Sequence, residues 1–579
     1  MIKVKNLSYS FPQKELYHEI SFTIEEKQHC AFIGTSGTGK STLVDLLMHP
    51  EQYLFDGILE ISSSGRIGYV SQFSQLDAAE EMTVFDYVAE EFTAVQQRID
   101  RICAEMETAS DLEPLLEQYQ QALDVFHSIG GDHFESNVTK KLKLANLNQH
   151  RDLSVSKLSG GEFKLIQVLK EMLTVPDLII MDEPDVFLDF DHLVALGDLI
   201  NSHNGMLLVI THNRYLLNHC FNKIIHLENT ELQEFSGRYI DYNFSLLQRK
   251  IELQELAGAD TEEIERNQKV VDQMRLDATN FICASKGRTL DARVALLQRL
   301  EARRNKEPFV EIKQPEIVLE AEPESSEEII LKIHDYCLSF QDVLLEHVNF
   351  EMKSTDKVAL IGPNGTGKTT LLRDIYQNNQ PSIEIAADAK VAFLSQLQGE
   401  MLKESHTIRE EFFEAGFQTR EEMEAYLADY GFTEELMNQK IELLSGGEKN
   451  LLQLAKIAMS KANFLLLDEP TGHMDTYSQI ALEQAISQYK GAILMISHDF
   501  YSIVNGMDYV ILIEDKTIRK ISIRKFRKMI YANHFDKDYL EVEQKKQVVE
   551  MKIATALKNK DFELAKVLSE ELKMWNKLL

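Results

Sequence analysis

The chain has 579 residues, with 61 Lys plus Arg against 93 Asp plus Glu, for a formal net charge of −32. That length allows roughly three or four domains, and the acidity excludes nonspecific wrapping of nucleic acid over most of the surface while leaving room for a local basic contact. The five cysteines, Cys30, Cys103, Cys220, Cys283 and Cys337, lie far apart without metal spacing and suit a reducing compartment. No segment reads as a signal peptide and no apolar run reaches the length of a membrane span, so a cytoplasmic protein is expected.

Up to Ile33 the chain runs as short strands, IKVKNLSYSF, ISFTI and CAFIG. GTSGTGKS, Gly34 to Ser41, follows the last of them, and TLVDLLM continues as a helix. This is the GxxxxGK[ST] pattern in its strand–loop–helix context, in which Gly34, Gly37 and Gly39 let backbone N–H groups converge on a phosphate. Lys40 is expected to reach the β- and γ-phosphates and Ser41 to ligate Mg²⁺. A lone strand, RIGYVSQF, ends in Gln72, and residues 84–150, rich in Glu, Gln, Leu and Ala, have helical periodicity.

At 158–189 stands LSGGEFKLIQVLKEMLTVPDLIIMDEPDVFLD, a glycine-rich turn, an amphipathic helix and a buried strand. Asp182 and Glu183 end that strand, where parallel α/β sheets place their ligands. Asp182 suits Mg²⁺, and Glu183 suits polarising an attacking water. MLLVITH then ends another buried strand at His212.

The second half repeats this inventory. GPNGTGKT spans Gly362 to Thr369 with Gly365, Gly367 and Lys368, and Gln396, Ser445, Gly446, Gly447, Asp468, Glu469 and His498 follow. The two LSGGE copies and the two strand-end histidines are each 286 positions apart, whereas the phosphate loops are 328 apart and Gln72 and Gln396 are 324 apart. About 38 extra residues therefore lie between Gln72 and the first LSGGE, and an added helix or helical hairpin is expected at about 95–135. The repeat makes the fold class α/β, with two tandem nucleotide-binding domains at 1–237 and 329–533.

Between them, 238–307 reads as a charged helical linker and 308–328 as an acidic flexible tether. From Asn280 to Lys306 the linker carries seven basic residues (Lys286, Arg288, Arg293, Arg299, Arg303, Arg304, Lys306) against Asp291 and Glu301. A local charge of +5 in so acidic a chain makes 280–306 the best candidate for a phosphate-backbone contact, with a solvated helical face as the alternative. The tail 534–579 is expected to be a helical hairpin with a break near Asn559–Asp561, packed by Trp575.

LSGGE, together with GTSGTGKS, MDEP and ITH, resembles the ABC ATPases. The whole chain is similar to the ABC-F group of soluble twin-cassette proteins that act on ribosomes. The long linker, FSGRYIDY leading into it, the insertion in the first cassette only and KGRTLDARVALLQRLEAR carry that likeness. The resemblance implies two ABC-type P-loop ATPase domains, each with a helical subdomain, arranged head-to-tail in an intramolecular sandwich of one monomer.

One ATP would then meet Lys40, Ser41, Gln72, Asp182, Glu183 and His212, facing Ser445, Gly446 and Gly447. The other would meet Lys368, Thr369, Gln396, Asp468, Glu469 and His498, facing Ser159, Gly160 and Gly161. Phe11 and Phe340 stand like the aromatic that stacks on adenine, with a core role as the alternative. Mg²⁺ would be held by Ser41, Gln72 and Asp182, and by Thr369, Gln396 and Asp468.

The implied partner is the 70S ribosome, its 23S rRNA and exit-site or peptidyl-tRNA, reached through linker 280–306, with the 95–135 insertion as a second candidate contact. The linker would work near the tRNA exit site and the peptidyl-transferase centre, to displace an antibiotic or to adjust peptidyl-tRNA. DEPDVFLD and DEPTGHMD depart from the family's DEPTNHLD at Asp185, Phe187 and Gly472, and Asn450 stands where arginine is common, so the two sites are expected to differ. A transporter's ATPase subunit leaves the long linker unexplained. ABC proteins acting on DNA have a longer coiled coil or zinc cysteines, and a nonenzymatic scaffold would have lost Glu183 or Glu469.

Overall fold

In the computed structural model, the residues described are 2–11, 14–61, 66–72, 82–108, 112–186, 188–252, 268–269, 294, 315–321, 328–340, 342–395, 402–534 and 539–577. The chain divides into two compact bodies, one of Met1–Glu234 with Lys313–Ile530 and one of Phe235–Ile312 with Tyr531–Leu579.

The first body holds both repeats, and each is built on two sheets. In the first repeat β1 (Ile2–Phe11), β2 (Lys14–Ile24) and β4 (Asp56–Ile61) form an antiparallel sheet. The main sheet runs β5 (Ile67–Val70), β6 (Leu178–Asp182), β7 (Met206–Ile210), β3 (His29–Ile33), β8 (Lys223–Glu228) and β9 (Glu231–Ser236). The second repeat matches it, with an antiparallel sheet of β10 (Ile329–Ser339), β11 (Val343–Lys353) and β13 (Ile383–Ile385). Its main sheet runs β14 (Val391–Leu394), β15 (Phe464–Asp468), β16 (Ala492–Ile496), β12 (Lys357–Ile361), β17 (Tyr509–Glu514) and β18 (Thr517–Ser522).

Strands β6, β7, β15 and β16 are buried at all five positions, as expected of parallel strands covered on both faces. Their apolar runs end together, which delivers Asp182 and Asp468 to one edge of each sheet.

Between Gln72 and the first signature lie helices Val84–Met106, Glu113–Ser128 and Phe134–Leu144. Ile99, Ile102 and Ala122 pack the first two against each other with Val95, Leu115, Tyr119 and Phe126. Among the described residues the second repeat has the helices Ile408–Ala415 and Arg420–Asp429 and the single turn Glu434–Met437 at the corresponding place. The extra length therefore lies in a self-packed hairpin.

The second body joins the root of the linker to the tail. Residues 239–252 are helical, and the tail forms helices Tyr539–Lys558 and Phe562–Asn576. Ile251 is buried with Val549, Ile553, Ala556, Ala565, Leu568 and Leu572, and Trp575 packs on that cluster. Lys286, Arg288, Asp291, Arg293, Arg299, Glu301, Arg303, Arg304 and Lys306 of the basic segment, and most of the tether, lie outside the described residues.

Within the first body one charged cluster ties the two repeats together. Arg214 pairs with Glu483 and, at 3.0 Å, with Asp499, and its guanidinium lies 4.4 Å from the Tyr501 ring centroid. Phe190 packs on Phe500, with ring centroids 6.2 Å apart. All three charged side chains are largely buried, and the two carboxylates hold the guanidinium firmly protonated against the cost of burial. The repeat offset pairs Arg214 with Phe500 and Glu483 with Gly197, so this charge clamp has no twin. Arg214→Ala leaves two buried carboxylates uncompensated and is expected to cost about 3–5 kcal/mol. In urea denaturation its midpoint should fall clearly below that of wild type, with part of the loss recovered by adding Glu483→Gln.

Candidate active site

Each phosphate loop leaves the end of a buried strand and turns into a helix. Gly37 and Gly39 (φ 79° and 95°) and their counterparts Gly365 and Gly367 (φ 79° and 87°) adopt the left-handed conformation that side chains disfavour. Gly39 and Gly367 are the residues immediately before helices Lys40–Met48 and Lys368–Gln377, so the free N–H groups of the helix start face into the loop. Lys40 Nζ folds back to donate to the Gly34 and Thr35 carbonyls at 2.9 and 2.8 Å, and Lys368 Nζ does the same to Gly362 and Pro363 at 2.8 Å each. Both lysines are buried, and burial draws their pKa down. Glu228 braces the first loop by accepting from the Thr35 amide at 3.1 Å and its hydroxyl at 2.8 Å.

The strand-end carboxylates meet the first residue past each lysine. Thr369 Oγ1 donates to Asp468 Oδ1 at 3.3 Å, and Ser41 hydrogen-bonds Asp182. Glu183 and Glu469 both take a left-handed backbone, φ 46° and 49°, and both donate their amide to the next strand, to Ile210 and Ile496 carbonyls at 3.0 Å. Non-glycine residues held there store about 1–3 kcal/mol each, a cost that clusters at functional sites. Asp468 Oδ2 and Glu469 Oε1 are buried and accept no hydrogen bond. Oxygen donors left bare beside a threonine hydroxyl and a lysine suit a hard cation such as Mg²⁺, which supplies charge neutralisation to phosphate oxygens when bound.

The two glutamates have different surroundings. Burial pushes Glu183 up, but a hydrogen bond from His473 and the nearby positive charge, Lys40 included, outweigh it and hold its pKa below the ordinary value. His473 Nδ1 lies 3.1 Å from Glu183 Oε2, and Gln72 Nε2 donates to the same oxygen at 2.6 Å. The structure thus ties Gln72 to the glutamate. At the other site burial dominates, pushing Asp468 and Glu469 each up to about 7. His212 and His498 are buried beside the lysines and held neutral, their pKa lowered to about 4 by burial and then by the lysine charge. His498 Nε2 is 3.5 Å from Glu469 Oε1.

The two LSGGE segments open helices Gly160–Leu173 and Gly446–Ser460. In each, the serine hydroxyl accepts from the glutamate amide at 3.3 Å while that glutamate's side chain accepts from the serine amide at 2.8 Å. Ser159 and Ser445 are therefore engaged in capping boxes as well as being candidate phosphate contacts.

The second signature sits on the first phosphate loop. A methyl added at Gly447 would meet Ser36 Oγ at 3.1 Å, and one at Gly37 would meet Glu448 Oε1 at 3.4 Å. At the reciprocal site a methyl on Gly365, the counterpart of Gly37, would meet nothing within 4 Å. Cross-repeat charge is present at both sites, because Asp475 acts on Lys40 and His212 while Asp189 acts on Lys368 and His498.

Phe11 and Phe340 are 47% and 70% exposed, which removes the core-packing alternative for both. Gln396 and Phe187 lie outside the described residues. Asp185, where threonine is usual, accepts from Thr211 Oγ1 at 2.7 Å, and burial raises its pKa to about 6. Asn450 donates to the Gly472 carbonyl at 2.7 Å, while its repeat partner Lys164 donates to the carbonyls of Ser71 and, at 3.1 Å, Gln72. Sequence reasoning missed His473, Lys164, Asp189, Asp475 and Glu228. The signal for three of them was the repeat itself, since His473, Asp189 and Asp475 stand in the DEPTGHMD and DEPDVFLD segments already singled out above.

A family model described as ABC transporter matches residues 17–186 and 345–472, just over half of the chain. The chain belongs to the ABC transporter family. It is a twin-cassette, ABC-F-like ATPase of that family, and the phosphate loops, signatures and strand-end carboxylates above are its two sets of cassette parts. Over 525 residues it is 29% identical to the uncharacterized ABC transporter ATP-binding protein YfmM of Bacillus subtilis, covering 86% of this chain and 96% of that one. It is 26% identical to ABC transporter F family member 5 of Arabidopsis thaliana, covering 89% of this chain and 75% of that one. Among solved structures, an archaeal ribosome recycling factor, aABCE1, crystallised with the stalk protein aP1, shares the fold with a TM-score of 0.52 at 16% identity, over 91% of this chain and 92% of that one. No helix among the described residues is long and apolar enough to cross a membrane.

Because Asp468 and Glu469 hold protons up to about pH 7, a Mg²⁺ held by Asp468 would favour the ionised form of both neighbours, and Mg²⁺·ATP binding near neutral pH should release protons. Calorimetry in buffers of different ionisation heat should read fewer protons released in Glu469→Gln, and as many as wild type in Glu183→Gln.

Proposed function

We propose that this ATPase hydrolyses ATP at two composite sites and uses the cycle on the ribosome, to dislodge an antibiotic bound near the peptidyl-transferase centre. The observation that carries the composite sites is the second cassette's signature helix standing on the first cassette's phosphate loop, with Gly447 against Ser36. In this reading Lys40 and Lys368 hold the β- and γ-phosphates. Ser41 with Asp182, and Thr369 with Asp468, hold Mg²⁺ alongside Gln72 and Gln396.

Glu183 and Glu469 polarise the water that attacks in line, while His212 and His498, both neutral, hydrogen-bond the γ-phosphate. The signature helix starts at Ser445–Gly447 and Ser159–Gly161 meet the charge that develops on the phosphate oxygens, so cassette closure and catalytic competence coincide. Phe11 and Phe340, exposed at the ends of their strands, receive the adenine rings.

The ribosomal half of the reading is supported by the F-family relatives, by the ribosomal role named for the archaeal recycling factor of the same fold, and by the basic segment 280–306 in a chain of charge −32. That segment is assigned to 23S rRNA and exit-site tRNA, and the 95–135 hairpin to a second large-subunit contact. The chain acts as a cytoplasmic monomer.

Glu183→Gln with Glu469→Gln should slow ATP hydrolysis by about 100-fold or more and trap the protein on 70S ribosomes in an ATP-dependent sedimentation assay. Failure to co-sediment would sink the ribosomal reading. In a susceptible Gram-positive host, wild type should raise the minimum inhibitory concentration of peptidyl-transferase-centre antibiotics and the double variant should not. Ribosome trapping without any such rise would make the protein a general translation factor of the same family.

A further inference from the structure

The outer face of the β10–β11 hairpin carries a second group of chemically capable side chains, far in sequence from every residue assigned to ATP apart from Phe340. Strand β10 exposes Asp335 and Cys337, and β11 exposes His347, while Tyr336, Leu338 and Val348 between them face the core. Strict alternation would not crowd three side chains together. Two bulges do, because Asp335 and His347 take left-handed backbones (φ 49° and 50°) and the pairing slips between Ile333 and Tyr336 and again before Leu338.

As a result His347 Nδ1 lies 2.5 Å from Asp335 Oδ1, and the imidazole nitrogen, the Cys337 thiol and the Asp335 carboxylate all fall within 4.8 Å of one another. Among the described residues this is the only such grouping of three metal-ligating side chains.

The first cassette shows what the fold itself needs at these places. Its equivalent bulges fall at Asn6 and Glu19, with φ 47° at both. There the Glu19 amide donates to Ser8 Oγ at 2.9 Å and the Asn6 amide to Ser21 Oγ at 2.8 Å. In the second cassette the His347 amide is left with Cys337 Sγ at 3.5 Å, while the Asp335 amide keeps an oxygen acceptor, Asn349 Oδ1, at 2.9 Å. A thiol is a weaker acceptor than a hydroxyl, so Cys337 serves the bulge less well than Ser8 does. The same three places read Asn, Ser, Glu in one cassette and Asp, Cys, His in the other, and only the second set combines a thiol, an imidazole and a carboxylate.

We infer that Asp335, Cys337 and His347 form a surface site for a thiophilic divalent cation of the zinc class, with solvent completing the coordination. Ligand atoms around a tetrahedral zinc lie about 3.3–3.8 Å apart, as bond lengths of about 2.0–2.3 Å require. The 2.5 Å contact between His347 Nδ1 and Asp335 Oδ1 has to lengthen to reach that range, and all three side chains are exposed enough to adjust by side-chain rotation. Thiolate with imidazole selects Zn²⁺, and the spectroscopic substitute Co²⁺, over Mg²⁺ and Ca²⁺. The ion would clip β10 to β11 across the bulges.

Titrating the nucleotide-free full-length protein with Co²⁺ tests this without reference to ATP hydrolysis. One equivalent should develop a thiolate-to-cobalt charge-transfer band that Zn²⁺ abolishes by displacement and excess Mg²⁺ leaves intact. Cys337→Ser should remove the band and Cys103→Ser should keep it, and His347→Ala should weaken Co²⁺ binding by about tenfold or more. ATPase activity of Cys337→Ser, unchanged from wild type, would certify that the variant is folded. Absence of a saturable band at micromolar Co²⁺, or a band that survives Cys337→Ser, would overturn the assignment.

Discussion

Buried charge at the strand ends is the constraint on which the rest of the architecture depends. Each cassette sinks one ammonium and two carboxylates into the edge of a parallel sheet, where a lone ion would be expelled or neutralised. The lysines are held by their own loop carbonyls, and Asp182 and Asp468 by a hydroxyl apiece. That arrangement is incomplete, as the bare Asp468 and Glu469 oxygens show. A polyanion with a divalent cation would complete it, and the fully buried flanking strands keep the groups in place.

Compensation is unequal between the two sites. Glu183 receives His473 from the opposite cassette, whereas the repeat offset puts Phe187 in the first cassette at the position of His473. Among the described residues Glu469 has its own cassette's His498, and it stays partly protonated near neutrality. Lys164 against Asn450, and Asp185 against Thr471, extend the difference into the segments around each glutamate. A single Arg214 clamp adds to it at the cassette boundary. The duplicated chain has kept the motifs in both copies and diverged in what surrounds them.

What was legible in the sequence had short-range physics behind it. LIIMD and FLLLD read as fully buried strands because no polar position interrupts them, and the glycines of GTSGTGKS and GPNGTGKT read as a phosphate loop because each sits between a strand and a helix. Comparing offsets located the inserted hairpin because the two copies differ by one block of residues. His473 reaching Glu183 was not legible, since it requires knowing how two surfaces 290 residues apart in the chain are opposed. Nor was the double role of Ser159 and Ser445, because a capping box and a phosphate contact use the same residue type at the same helix start. The left-handed backbones at Glu183 and Glu469 carry no sequence signature at all; glycine would have announced them, but the chemistry needs a carboxylate.

The body that unites the linker's first helix with the tail has a consequence for synthesis. Ile251 is made early, but Val549, Ile553 and Leu572, which bury it, come about 300 residues later. At about 5–20 residues per second, the ribosome leaves the apolar face of that helix without its native cover for roughly 15 to 60 s. Both cassettes can be complete, sheets and sites included, before the helix that joins them finds its partners.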